Sequence, residues 1–222
     1  MEIKVSDIAH RELYNILISC VAPRPIAWVS TLSASGQPNL APFSFFNCVS
    51  GTPPLLAFSP SLRAPQQPEP AKGEPKDTLR NIRETEEFVI SVVTFDLLES
   101  MNLTSGEYEA SVNEFELAKL TPISSKLVRP SRVGESPVSF ECKLRQILEF
   151  SSAPGGGVLV IGEVVAIHVD DENLKEGRID RNSLDLIGRM GGMQYARTRD
   201  RIELARPDAT GALPAAPEKV RL

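Results

Sequence analysis

Residues 137–150, PVSFECKLRQILEF, and residues 158–169, VLVIGEVVAIHV, decide how this chain is read. Both runs are long and rich in β-branched, aromatic and other apolar side chains, the pattern of strands. Gly155-Gly156-Gly157 lies between them and offers a hairpin turn. Within the second run, Val158, Val160, Gly162, Val164, Ala166 and His168 alternate with Leu159, Ile161, Glu163, Val165, Ile167 and Val169. Both sets are largely apolar, so this strand is expected to be buried on both sides.

Working outward, residues 26–32 (IAWVSTL), 39–46 (NLAPFSFF), 55–59 (LLAFS) and 88–93 (FVISVV) read as further strands. The turn cluster 33–38 joins the first two as a hairpin, and Pro42 forbids full pairing on both sides of the second. A helix is expected from Asp77 as N-cap, with Leu79, Ile82 and Arg83 on one side. A short helix over 96–103 would turn Leu97, Leu98 and Met101 inward. Many strands, short turns and few helices argue for a β-barrel rather than a doubly wound sheet. Residues 1–205 read as one domain and 206–222, rich in alanine and proline, as a loose tail. The proline-rich stretch 60–75 reads as a surface insertion or as a lid over a pocket.

Composition removes several function classes. The formal charge of −5 argues against a basic face for nucleic acid. No apolar run approaches the roughly 20 residues of a membrane span. The N-terminus lacks an apolar signal core, so a cytoplasmic location is expected. Cys20, Cys48 and Cys142 form no C-x-x-C and no disulfide framework. His10 and His168 have no second ligand at metal spacing, which argues against zinc, and no G-x-S-x-G elbow supports a hydrolase.

Three segments could carry chemistry. Neither standard dinucleotide loop is present, so a phosphate site needs another source. Lys76-Asp77-Thr78 at a helix start offers free N–H groups, a cation and a hydroxyl; the plainer reading is a capped surface helix. The stretch from Pro42 to Cys48 sets aromatics beside Ser44 and Asn47, suited to a planar heterocycle or simply to a barrel core and a polar turn. Arg189, on the Gly188–Gly192 loop, could approach a phosphate or a ring, or mark an irregular turn. Trp28 and His168 read as core residues, and Cys48 as a packing residue or a neighbour of the ring.

Taken in order, Arg24–Thr31, Asn39–Asn47, Lys76–Ile82, Met101–Ser105, Glu114–Ala118, Val160–Val165 and Gly188–Tyr195 resemble the flavin reductase-like family, which includes flavoredoxins. The resemblance runs from about Pro23 to Tyr195. It implies a mainly β, FMN-binding split barrel with a few short helices, one FMN per subunit, and a homodimer with flavin near the interface. It implies phosphate contacts at Ser30, Thr31, Lys76, Asp77 and Thr78. It places the isoalloxazine beside Ser44, Asn47 and Cys48, with Arg189 and Tyr195 as outer contacts. Two departures matter: where short reductases of the family often carry Gly-Asp-His, this chain has Gly155-Gly156-Gly157-Val158-Leu159, and the proline-rich 60–75 insertion is longer than the family's usual loop and bears on access to the pocket. No general base is nominated, because the cofactor carries the chemistry. The expected activity is an NAD(P)H:FMN reductase, with NADH or NADPH as donor. The alternatives are a flavoredoxin-like carrier that exchanges electrons with a partner protein, and a β-barrel binding module without flavin.

Overall fold

A computed structural model describes residues 2–63, 72–180, 182–207 and 209. Half of the proline-rich stretch (64–71) and most of the expected tail lie outside the described residues. An N-terminal helix, α1 (His10–Cys20), precedes four strands: β1 (Ala27–Leu32), β2 (Pro38–Phe43), β3 (Phe46–Gly51) and β4 (Pro54–Phe58). Next come α2 (Asp77–Thr85), β5 (Glu87–Ser91), α3 (Leu98–Leu103) and α4 (Glu114–Leu117). The two-residue strands β6 (Pro122–Ile123) and β7 (Arg132–Val133) lead into the long pair β8 (Val138–Glu149) and β9 (Val158–Val169). Short ladders follow: β10 (Leu174–Lys175) with β11 (Arg178–Ile179), then β12 (Ile187–Arg189) with β13 (Tyr195–Arg197).

Seven strands form one antiparallel sheet in the order β2-β1-β5-β8-β9-β4-β3. The outer strands β2 and β3 are consecutive in the chain. Only Ser44 and Phe45 separate them, a link that spans about 11 Å at most, so the two sheet edges meet at that end. The amide of Ser59, just after β4, donates to the carbonyl of Phe45 (2.8 Å) and fixes the junction. Inside, Phe43 on β2 meets Phe58 on β4 at 5.1 Å between ring centroids, and Phe58 meets Phe88 on β5 at 5.7 Å. Rings from the first, sixth and third strands touch because the sheet curls into a barrel. Gly162 makes room for this cluster: a Cβ there would lie 2.2 Å from Phe88 Cζ.

The barrel core also holds Ala27, Val29, Leu79, Ile82, Ile90, Val158 and Val160, so α2 contributes its apolar side to the barrel interior. A second core lies on the other face of β1 and β2. There Ile26, Trp28 and Leu40 pack on Leu97, Met101 and Phe115 from the α3–α4 region. Trp28 is fully buried and donates to Thr104 Oγ1 (2.9 Å). The structure is thus a split barrel, with α2 packed into its core and the α3–α4 region against the other face of β1 and β2.

Four local expectations change. The extended run 39–46 breaks after Phe43, because the chain must cross from one sheet edge to the other there. Pro42 sits on the edge strand β2, where no neighbour needs its missing N–H. Asp77 is the first helical residue rather than the cap; Lys76 holds the cap position, with no side-chain cap bond. The strand 158–169 is not buried on both sides. Val158, Val160 and Gly162 face the core, while the opposite face is only half-buried and Ile167 is 58% exposed. An antiparallel sheet needs only one face covered. The β8–β9 turn is also longer than the glycine run, with Gly155 in the left-handed region at φ +76°. The helix α1 had no counterpart in the sequence reading. Its Leu13, Ile16, Leu17 and Cys20 recur at i, i+3, i+4 and i+7, a helical stripe that the sequence reading passed over, and the helix buries none of its residues.

Candidate functional site

The free edge of β2 carries a groove. At one end stands the first turn of α2. The amides of Asp77, Thr78 and Leu79 have no acceptor within the helix, whose first bond is Arg80 N–H to Lys76 O (3.0 Å). The Asp77 carboxylate lies 3.0 Å from Arg63 and 2.8 Å from Arg80 and is neutralised there. Behind it, Asn39 Nδ2 donates to Thr78 Oγ1 (2.9 Å) and Thr31 Oγ1 (3.3 Å), and Asn81 Nδ2 donates to Thr31 Oγ1 (3.1 Å). Both threonine hydroxyls accept in these bonds, so each keeps its own hydrogen for a further acceptor.

Lys76 has no carboxylate within ion-pair distance among the described residues, and its ammonium lies 6.0 Å from the Phe43 ring centroid. Burial lowers its pKa from the ordinary lysine value, nearby Arg63 lowers it further, and Glu107 offsets part of this. Arg63 Nε is buried and has no hydrogen-bond partner among the described residues. An unpaired ammonium, an orphaned guanidinium N–H and three open helix amides suit a phosphate.

Midway, Glu114 Oε2 accepts the edge amide of Leu40 (3.1 Å). Burial raises the Glu114 pKa, and hydrogen bonds from the amide of Leu40 and from its own amide hold that rise back. The phosphate-end cavity is lined in part by Asn39, Lys76, Thr78, Ser105 and Glu114. It shares Pro42 and Ser105 with a second cavity of about 220 Å³, whose polar lining includes Arg24, Ser44, Asn102, Arg189 and Tyr195.

The far end is built by a backbone bridge. Arg24 and Arg189 exchange main-chain hydrogen bonds (2.9 and 2.8 Å) across 165 residues of chain. Arg24 is 6% exposed. It donates to Ile18 O (2.6 Å), Val21 O (2.5 Å), Met190 O (3.1 Å) and Ser44 Oγ (3.5 Å). It thereby ties the end of α1, the glycine-rich turn and the β2–β3 link together. Burial lowers its pKa, Tyr14 partly offsets this, and Arg189 lowers it again. Arg189 lies 4.5 Å from the Tyr195 ring centroid and donates to Gly192 O (2.6 Å); Tyr195 OH donates to Asn102 Oδ1 (3.4 Å).

The residues expected from the sequence therefore separate. Lys76, Asp77 and Thr78 line the phosphate end, and Ser44, Arg189 and Tyr195 line the far end. Thr31 joins the polar net behind Thr78. Ser30 is buried on the opposite face of β1, the face of Trp28, so its side chain points away from that net. Asn47 and Cys48 are exposed on β3 and line neither cavity; Asn47 Oδ1 accepts the Cys48 amide (2.8 Å). Cys142 is fully buried, and burial pushes its thiol pKa up, which leaves it inert. Arg24, Asn39, Asn102, Ser105 and Glu114 were missed as site residues although each lies within a motif already quoted. Tyr14 and Arg63 lie in no motif, and only the fold brings them to the groove.

Comparison with known proteins agrees with this architecture. Residues 19–197 match the flavin reductase like domain, and the chain belongs to that family. An uncharacterised protein of Aquifex aeolicus is 39% identical over 198 residues, 89% of this chain and 95% of that protein. Among solved structures, nitrilotriacetate monooxygenase component B from Bacillus cereus superposes with a TM-score of 0.84 at 33% identity, covering 92% of this chain and 98% of its own. The 2-nitrobenzoate 2-nitroreductase NbaA of Pseudomonas fluorescens gives 0.83 at 32%, covering 98% and 100%.

Proposed function

We propose that the protein is an FMN-dependent oxidoreductase that takes hydride from NADH or NADPH onto flavin. The observation that carries this reading is the groove with cationic groups at both ends. From Asn39 to Ser44 the edge strand spans about 17 Å, a length suited to an extended flavin mononucleotide. Lys76, Arg63, Thr78 and the α2 amides hold the phosphate. Pro42, Ser44 and the edge backbone of β2 support the ring, and Arg189 stacked on Tyr195 closes the far side. The flavin supplies the hydride chemistry, and the protein supplies position and electrostatics. No side chain of the groove is assigned a general-base role.

Titration of flavin-free protein with FMN is expected to quench flavin fluorescence saturably near one FMN per chain; no saturable change would overturn the reading. Steady-state oxidation of NADH and NADPH with added FMN then separates a reductase from a carrier that only exchanges electrons with a protein partner. We also propose a homodimer. Val49 on β3, Ile167 on β9 and Leu17 on α1 leave half or more of their surface exposed, which a second copy would cover. Light scattering that gives only the 24.3 kDa monomer with FMN present would refute it.

A further inference from the structure

We infer that Glu114 is the acceptor that holds the hydroxyls of the flavin's ribityl chain, so that the groove selects flavins with a hydroxylated chain on the ring. The inference rests on the flavin reading above. It assigns a buried acid which that reading leaves without a task.

The backbone of the β2 edge sets the demand. In an antiparallel pair, alternate residues bond to the neighbouring strand. Asn39, Ala41 and Phe43 stand opposite Thr31, Val29 and Ala27, whereas Leu40 sends its amide away from β1, to Glu114 Oε2 (3.1 Å). Leu40 and Pro42 therefore face the free edge. The Leu40 N–H is taken by Glu114, and Pro42 has none. Between the phosphate end and Ser44, this edge offers only the carbonyls of Leu40 and Pro42, and no donor among the described residues bonds to either.

The side chains beside this stretch have likewise used their donors within the protein. Ser105 Oγ donates to Asn102 O (2.6 Å), and Tyr108 OH donates to Leu103 O (2.8 Å). Asn39 Nδ2 is engaged with Thr78 and Thr31. Glu114, 8% exposed, keeps spare capacity of the opposite kind. A carboxylate has about four acceptor positions. The amides of Leu40 and of Glu114 itself fill some of them, and about two remain for a ligand.

The groove is thus donor-rich at the phosphate end and acceptor-rich in its middle. The complement of an acceptor surface is a chain of O–H groups. In an extended flavin mononucleotide the ribityl hydroxyls lie between ring and phosphate. Glu114 lines the phosphate-end cavity, which meets the ring-end cavity at Pro42 and Ser105. A flavin chain without hydroxyls would leave these buried acceptors unpaired, which carries a desolvation cost. The rival account is that Glu114, the first residue of α4, only ties that helix to the β2 edge.

The test compares riboflavin with a pentylflavin, whose plain alkyl chain replaces the ribityl chain. Neither carries a phosphate, so Lys76 does not enter. Wild-type protein is expected to bind riboflavin at least about tenfold more tightly than the pentylflavin. Glu114→Gln keeps an oxygen for the Leu40 amide but exchanges a charge-assisted bond for a neutral one. Riboflavin affinity should fall about fivefold or more, with the pentylflavin unchanged. Equal binding of the two flavins by the wild type would overturn the inference. So would a loss shared by both flavins in the variant, or a lower denaturation midpoint with the affinity ratio intact, either of which would leave Glu114 a structural tie.

A second measurement needs no variant. Burial raises the Glu114 pKa above the ordinary 4.5, so riboflavin affinity should decline as pH falls towards that value while pentylflavin affinity holds. Lys76, Arg63, Asp77 and Glu107 also face this cavity. Neither flavin brings a charge to meet them, and the pentylflavin controls for their titration. A parallel decline for both flavins, or none for riboflavin, would count against Glu114. Titration with FMN separates this inference from the flavin reading. Saturable FMN binding with riboflavin and pentylflavin equal refutes the inference alone, and no binding of FMN or riboflavin refutes both.

Discussion

Two buried polar clusters in this barrel are built to opposite ends. On β8 and β9, Glu141 is fully buried, and its carboxylate accepts the amides of Lys126 (2.7 Å), Leu127 (2.6 Å) and Val128 (3.1 Å). His168 Nε2 lies 2.5 Å from the same carboxylate. At the groove, among the described residues, Lys76 lacks an ion-pair partner, Arg63 Nε has no acceptor, and the first amides of α2 stay open. One cluster is closed and holds a loop to the sheet; the other leaves donors waiting. Burial alone does not separate structural from binding residues. The number of unspent hydrogen-bonding groups does.

The comparison makes its largest demand at Glu141. Glu141→Gln keeps the shape but gives up half of the carboxylate's acceptors. It should lower stability by about 2–3 kcal/mol in denaturant unfolding while leaving the ratio of FMN to riboflavin affinity unchanged. Burial pushes the Glu141 carboxyl up, but the bonds from Lys126, Leu127 and His168 outweigh it and hold its pKa below the ordinary carboxylate value. The stabilisation is therefore complete above pH 4.5 and disappears as pH falls through the folded value. The gap between wild type and variant should narrow in acid, and a constant gap would count against this account.

Lys76→Ala probes the open cluster. A charge-assisted hydrogen bond contributes about 1.5–3 kcal/mol, so FMN affinity should fall by about one to two decades, while riboflavin, which lacks the phosphate, stays put. Equal losses for both flavins would signal a folding defect. Because burial lowers the Lys76 pKa, the preference for FMN should also decline with rising pH below 10.5. The decline is to be read above pH 8, where the phosphate is already doubly charged, and Lys76→Ala should abolish it. The smallest effect is expected for Thr78→Val, about 1 kcal/mol in FMN affinity. It also leaves Asn39 Nδ2 with only its longer bond to Thr31, so a slight loss of stability should accompany it.

Much of the fold was legible because alternating apolar residues and turn chemistry are local signals. The β1–β2 hairpin, the β8–β9 pair and α2 fall close to where periodicity set them. The misplaced features depend on distant chain. The break between Phe43 and Phe46 follows from barrel closure, and the open outer face of β9 follows from what packs beside it. The helix α1 holds its place through Arg24, which accepts no help from local propensity.

The sequence by itself determined six of the seven barrel strands, all but β3, together with the family motifs and the helix start at Lys76-Asp77-Thr78, because each is written in neighbouring residues. Only the tertiary structure decided which of those motifs share a site. It set Ser30 and Thr31 on opposite faces of β1, since a strand alternates its side chains. It left Asn47 and Cys48 on an exposed edge, and it brought Arg63, Arg24 and Arg189 to one groove through a salt bridge and a backbone bridge that join distant segments. Cationic groups at both ends of one edge strand are a property of the closed barrel, because only closure brings these distant segments to the free edge of β2.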